Sequence, residues 1–188
     1  NFKVIVFNDG GEDFIEIIDK FRDLNITYIK KRRNQGLSKS LNKCISKVNT
    51  KYIARLDADD YALPERFELQ LDFLRSHNLD LIGTSVIKYV RNSERLFSVG
   101  KNINNKNIEN ISLNYSPLAH PTFFGKTKLF KKILYDEKLL YSQDYDFIVR
   151  CIINKYKIGN LNIPLLIYSS ELNNNFNKIF YQVKVSNE

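Results

Sequence analysis

Three carboxylates fall within four residues at Asp57-Ala58-Asp59-Asp60, directly after an apolar run. Like charges this close raise one another's pKa unless a cation neutralises them. A divalent ion removes that cost. Hard carboxylate oxygens select Mg²⁺ or Mn²⁺, which take one or two carboxylates plus substrate phosphates rather than a full protein cage. The plainer alternative is a solvated acidic turn that caps the helix beginning near Pro64. Two further features carry charge. Asp144 follows Gln143 at the head of an apolar-striped segment, where a carboxylate on its own reads as a helix cap. Lys30-Lys31-Arg32-Arg33 could cradle phosphates or an anionic membrane surface, or serve as a solvated edge that discourages sheet-to-sheet pairing.

These residues need elements to hold them. The apolar run over 3–7 ends in Asn8-Asp9-Gly10-Gly11 and reads as a buried strand entering a sharp turn. Phe14, Ile17, Ile18 and Phe21 recur at helical spacing, and a second strand covers 26–29. Leu37, Leu41, Ile45 and Val48 stripe a helix over 37–48, and a strand over 52–56 feeds the acidic cluster. Strand and helix thus alternate, which implies an α/β fold with a mostly parallel sheet and ligands beyond the C-terminal strand ends, where Asp9 and Asp57 stand. Pro64 opens a helix over 64–77 that buries Phe67, Leu71 and Leu74. Strands are predicted over 80–90, 121–125 and 163–168, a short helix within 102–114, and a helix over 144–156 with Phe147, Cys151 and Ile152 inward. The tail from Asn173 has an apolar helical pattern.

Composition narrows the class. The 188 residues, 43% hydrophobic and 27% charged, suit one ordered domain spanning 1–188. The net charge of +8 favours an anionic partner, but the basic residues are dispersed and no nucleic-acid signature accompanies them, so nucleotides or an anionic membrane surface fit better than nucleic acid. Cys44 and Cys151, far apart and each on an apolar stripe, read as buried free thiols of a cytoplasmic protein. No stretch approaches the ~20 apolar residues that span a bilayer, so any membrane contact would be peripheral, at the inner face.

Residues 52–60 (Tyr-Ile-Ala-Arg-Leu-Asp-Ala-Asp-Asp), followed by Leu63-Pro64-Glu65-Arg66-Phe67, resemble the signature of family 2 glycosyltransferases, whose fold is the GT-A fold. Asn8-Asp9-Gly10-Gly11 is similar to that family's Asp-Asp-Gly-Ser turn, and Asn34-Gln35-Gly36-Leu37 with Leu41-Asn42-Lys43 to its Asn-x-Gly-Leu helix start. His120-Pro121-Thr122, Tyr135-Asp136-Glu137 and Gln143-Asp144-Tyr145-Asp146-Phe147 match in order, so the resemblance covers roughly 4–168. It implies a mixed sheet flanked by helices, with a nucleotide half over 1–60, an acceptor and catalytic half over 61–170, and a tail over 171–188. It further implies a nucleotide-diphospho-sugar donor, UDP-linked by preference, and a saccharide or lipid-linked saccharide acceptor in surface polysaccharide assembly.

By this resemblance Asp9 and Asn34 bind the nucleotide, Asp57 contacts its ribose or base, and Asp59 ligates the Mn²⁺ or Mg²⁺ that bridges the diphosphate, with Asp60 as an alternate. Asp144 corresponds to the general base of an inverting transfer, preceded by Gln143 where the family carries Glu. His120 could reach the diphosphate, the metal or the acceptor, or act as a structural hydrogen-bonding residue. The family's usual opening strand has no counterpart ahead of Asn1, so the resemblance implies an N-terminally incomplete domain. Rival readings are a haloacid-dehalogenase-type phosphatase, which would carry Thr or Val where Asp60 and Tyr61 stand, a nucleotidyltransferase, which would open with a Gly-rich basic loop, and a non-catalytic nucleotide-sugar-binding domain.

Overall fold

The computed structural model describes residues 2–90, 95–99 and 107–170; the apolar tail from Asn173 and the N-terminal flank of the predicted 102–114 helix lie outside them. Strand β1 (Lys3–Asn8) and strand β2 (Asn25–Lys30) pair in parallel, Lys3 opposite Asn25 through Asn8 opposite Lys30, as a two-stranded sheet. Helix α1 (Ile15–Ile18) joins them and is only one turn long. The expected buried stripe is therefore not formed: Phe14, Ile17 and Phe21 are exposed, because a single turn cannot align i and i+7 on one face.

Helix α2 (Leu37–Lys47) leads to β3 (Tyr52–Ala54), and the chain continues through β4 (Tyr61–Ala62), α3 (Arg66–Ser76), β5 (Leu81–Val90), β6 (Arg95–Val99) and α4 (Ile108–Ser112). The described residues close with β7 (Phe124–Lys126), α5 (Thr127–Ile133), α6 (Gln143–Ile153) and β8 (Ile158–Ser170). Six strands form the main sheet in the order β3-β7-β5-β8-β4, with β6 on β5. Only β5 and β8 run parallel within it; β3 with β7, β5 with β7, β4 with β8 and β5 with β6 are antiparallel. The sheet is mixed, not mostly parallel. Gly125 makes the insertion of β7 possible, since a Cβ there would lie 2.6 Å from the Asp80 carbonyl oxygen.

The stretch predicted as a strand over 121–125 divides in two. His120–Thr122 is a 3-10 turn, suited to Pro121 with its fixed φ and missing N–H, and pairing starts only at Phe124. Alternation across the strands then separates two cores. Leu81 and Phe123 join Phe130, Tyr135, Phe147 and Ile148 under α5 and α6, whereas Ile82 and Phe124 join Leu74 and Leu79 under α3. Phe147, fully buried, sits 4.7 Å from the Tyr135 ring and 5.4 Å from that of Phe130.

Helix α3 differs from its predicted face. Phe67 and Leu71 are only partly buried, and the inward stripe is Arg66, Gln70 and Leu74, all at 1% exposure or less. Among the described residues no helix is long and apolar enough to cross a membrane. Cys44 and Cys151 are free thiols, pushed up by burial to about 11 and about 12.

Candidate active site

The turn after β1 and the entry to α2 form one unit. Gly10, at φ +97°, lies so close to the backbone of Arg33 and Asn34 that a Cβ would come within 2.6 Å of the Asn34 nitrogen. Asp9 reaches across this contact: its two carboxylate oxygens accept the backbone N–H groups of Gln35 and Gly36, each at 3.0 Å. Asn34 Oδ1 also accepts the Gly36 N–H, at 2.8 Å. Each Asp9 oxygen keeps a further lone pair for a ligand. Of the basic run, Lys30 pairs with Asp13 at 2.8 Å on the surface.

The acidic cluster is a β-turn closed by the Asp60 N–H donating to the Asp57 carbonyl at 3.2 Å. Asp59 is exposed, while Asp57 and Asp60 are half-buried. Two buried guanidinium groups stand behind the turn. Arg55, 7% exposed, pairs through Nη2 with Asp57 Oδ1 at 2.6 Å. Arg66, fully buried, donates from Nη2 to the carbonyls of Arg55 at 2.7 Å and Pro121 at 2.9 Å. Burial raises the Asp57 carboxyl above its ordinary value, with Asp59 adding to the effect and Arg55 opposing it. Asp60 is pushed up to about 6 by burial and by its two acidic neighbours, although the Ser169 N–H donates to its Oδ1 at 2.9 Å.

His120 lies beside this unit. Its Nε2 is 2.9 Å from the Tyr135 hydroxyl and its ring meets the edges of Phe123 and Tyr135, so burial and the Arg55 charge hold it well below the usual imidazole range. It is neutral at pH 7. Tyr135 is held in turn by Asn42, whose side-chain amide donates to the Tyr135 carbonyl at 2.9 Å and accepts its N–H at 2.8 Å. Two motif fragments 93 residues apart in sequence, around Asn42 and Tyr135, thus meet. The Tyr135 hydroxyl is raised first by burial, with Asp144 and Asp57, one from each half of the candidate site, adding to the effect.

Asp144 is the second residue of α6 and Gln143 the first. The helix starts from Ser142 at φ +56°, whose side chain makes no capping bond. Among the described residues no three His, Cys, Asp or Glu side chains cluster as a self-sufficient metal cage. The turn fits a cation of the kind that completes its shell with phosphate oxygens, because Asp59 faces outward and Asp60 Oδ2 is buried without a hydrogen-bond partner.

Residues 1–137 match the model for Glycosyl transferase family 2. The chain belongs to this family. It is 38% identical over 172 residues to an uncharacterized glycosyltransferase of Methanocaldococcus jannaschii, covering 89% of the chain and 59% of that relative. With the O-antigen biosynthesis glycosyltransferase WbnJ of Escherichia coli it shares 31% over 176 residues, covering 89% of the chain and 68% of WbnJ. The structure of S. aureus TarS 1-349 in complex with UDP-GlcNAc superposes with a TM-score of 0.74 at 22% identity, over 97% of this chain and 55% of that one, and gives the fold as GT-A. The chain therefore spans between about half and two thirds of the length of these proteins. Family membership sets aside the phosphatase and nucleotidyltransferase alternatives.

Arg55, Arg66 and Gln70 carry roles that the sequence reading did not assign. One signal was available: Arg66 and Gln70 occupy i and i+4 in line with buried Leu74, so two polar side chains stand on the inward stripe of α3.

Proposed function

We propose that this chain is the catalytic core of an inverting glycosyltransferase that moves a sugar from a nucleotide-diphosphate donor, a UDP-sugar by preference, to a hydroxyl of a saccharide or lipid-linked saccharide. The observation that carries this reading is the acidic turn after β3, backed by two buried arginines, in a chain whose residues 1–137 match the glycosyltransferase family. In this reading residues 1–60 hold the nucleotide, with Asp9 at the base, Asp57 at the ribose or base and Asn34 also on the nucleotide, and residues 61–170 hold the acceptor. Asp59, with Asp57 or Asp60 nearby, would hold Mn²⁺ or Mg²⁺, which supplies positive charge to diphosphate oxygens as the leaving group departs.

Asp144 takes the proton of the acceptor hydroxyl as its oxygen attacks the anomeric carbon and the nucleoside diphosphate leaves from the opposite face. A positioned base of this kind contributes typically ~10²- to 10⁴-fold. UDP-GlcNAc in the TarS complex supports the donor class, and the O-antigen biosynthesis role of WbnJ supports an acceptor in surface-polysaccharide assembly.

Thermal shift with UDP, GDP and CDP, each with and without Mn²⁺, tests the reading. A nucleotide at 100 times its Kd stabilises the native state by about 2.7 kcal/mol, or roughly 5–10 °C in a domain of this size. The expected result is a UDP shift that grows with Mn²⁺. Absence of any metal-dependent shift with every nucleotide would overturn it.

A further inference from the structure

One helix side fastens two distant stretches of backbone. Arg66 and Gln70, four residues apart on α3 and both at 0% exposure, are joined by Arg66 Nε donating to Gln70 Oε1 at 3.0 Å. From there the bonds diverge. Arg66 Nη2 holds the Arg55 carbonyl, two residues before Asp57, and the Pro121 carbonyl. Gln70 Nε2 holds the Thr122 carbonyl at 2.8 Å. The two stretches also bond directly, since the Arg55 N–H donates to the Phe123 carbonyl at 2.8 Å.

A fully buried guanidinium is a costly way to fill space, and a Leu or Met at this position would pack without the penalty of desolvating a charge. What an apolar side chain cannot do is donate to two carbonyls on separate segments at fixed angles, as the planar fork of Arg does. The bonded carbonyls belong to the strand end that carries the acidic turn and to the turn that carries His120. His120 in turn holds Tyr135 against Phe147 on α6, the helix whose second residue is Asp144. Arg66 is thus the joint between the segment bearing Asp57, Asp59 and Asp60 and the segment leading to Asp144. Gln70 locks the second of these without touching the first.

We propose that Arg66 and Gln70 are positioning residues that set the acidic turn in register with the His120 turn, and through it with Asp144. This rests on the glycosyltransferase reading for what the two halves do, but the coupling itself is a property of the fold. A misplacement of about 1 Å between donor and base can cost on the order of 10²-fold in rate. Loss of the joint therefore shows in turnover more than in donor affinity.

Gln70→Glu and Arg66→Lys separate the possibilities. Glu at 70 still accepts the Arg66 Nε–H but cannot donate to the Thr122 carbonyl, so it frees the His120 turn and leaves the acidic turn held. We expect Gln70→Glu to fold, to bind UDP with Mn²⁺ within about threefold of the native Kd, and to lose tenfold or more in kcat for transfer. Arg66→Lys, which keeps the charge and loses the fork, is expected to weaken both. Hydrogen exchange on the same proteins without ligand reads the joint independently of activity: in Gln70→Glu the amides of Thr122 and Phe123 exchange faster while those of α3 do not. A native kcat in Gln70→Glu, or faster exchange confined to α3, would overturn the proposal. If the unsubstituted protein binds no nucleotide, the functional reading fails, and the exchange pattern still decides the joint.

Discussion

The pairing of Arg55 with Asp57 ties the candidate site to the stability of the chain, and a double-mutant cycle can measure how strongly. Arg55 is 7% exposed, its Nη2 is 2.6 Å from Asp57 Oδ1, and its Nε and Nη1 are buried without a partner. Asp57→Ala leaves that guanidinium without a side-chain partner among the described residues. Breaking a buried pair from one side costs about 3–5 kcal/mol. Here the Asp57 side chain is 34% exposed, so solvent already screens the pair, and removing Asp57 also relieves its repulsion with Asp59. The expected loss falls to about 2 kcal/mol, or roughly 4–8 °C in Tm. Arg55→Met leaves a carboxylate that water can reach and should cost about 1–2 kcal/mol. The double variant carries no buried unpaired charge and should be little worse than Arg55→Met alone, which gives a coupling of about 1.5–2 kcal/mol. Urea denaturation of the four proteins, free of nucleotide and metal, supplies the cycle. Additivity within about 0.5 kcal/mol would refute the reasoning, because it would mean that Arg55 does not depend on Asp57 for its charge compensation.

Other consequences concern the core, the pH response and the chemistry. Phe147→Ala removes a fully buried ring from contact with Phe123, Phe130 and Tyr135 and should cost about 3–5 kcal/mol, read from the urea midpoint. Burial alone would raise the Asp80 carboxyl, but its 2.8 Å pair with Lys126 and the Lys157 N–H more than offset this and hold it below the ordinary value. The unfolded chain thus binds the proton more readily, so stability from this group is present above the unfolded pKa of about 4 and is lost as pH falls through the lower folded value. Asp80→Asn should be less stable at pH 7 and lose less on acidification, measured by thermal melts from pH 7 to pH 2. Asp144→Asn should leave UDP binding within about threefold and reduce transfer by 10² or more in a protein that contains this chain; equal loss of binding and transfer would show that Asp144 serves the nucleotide instead.

What the sequence made legible follows from local rules. Asp57 follows a strand, three residues past its end at Ala54 rather than directly after a strand over 52–56, and Pro64 stands just ahead of a helix, because alternation and proline chemistry depend on neighbours alone. The partners of β3 and β5 were not legible. The β7 pairing depends on Gly125 admitting the Asp80 carbonyl, a contact between residues 45 positions apart that no period encodes. Arg66 stands within the matched motif, but its role lies in the carbonyls of Arg55 and Pro121, and carbonyls carry no sequence signature. The Phe14, Ile17 and Phe21 pattern misled for the complementary reason: periodicity describes a face, not whether a neighbour covers it.

Isothermal titration of UDP into the native chain and into Asp59→Ala, each with and without Mn²⁺, tests the central claim most directly. The account predicts that Mn²⁺ tightens UDP binding to the native chain tenfold or more and makes no difference to Asp59→Ala. Equal UDP affinity with and without Mn²⁺ in the native chain, or an undiminished Mn²⁺ effect in Asp59→Ala, would contradict it.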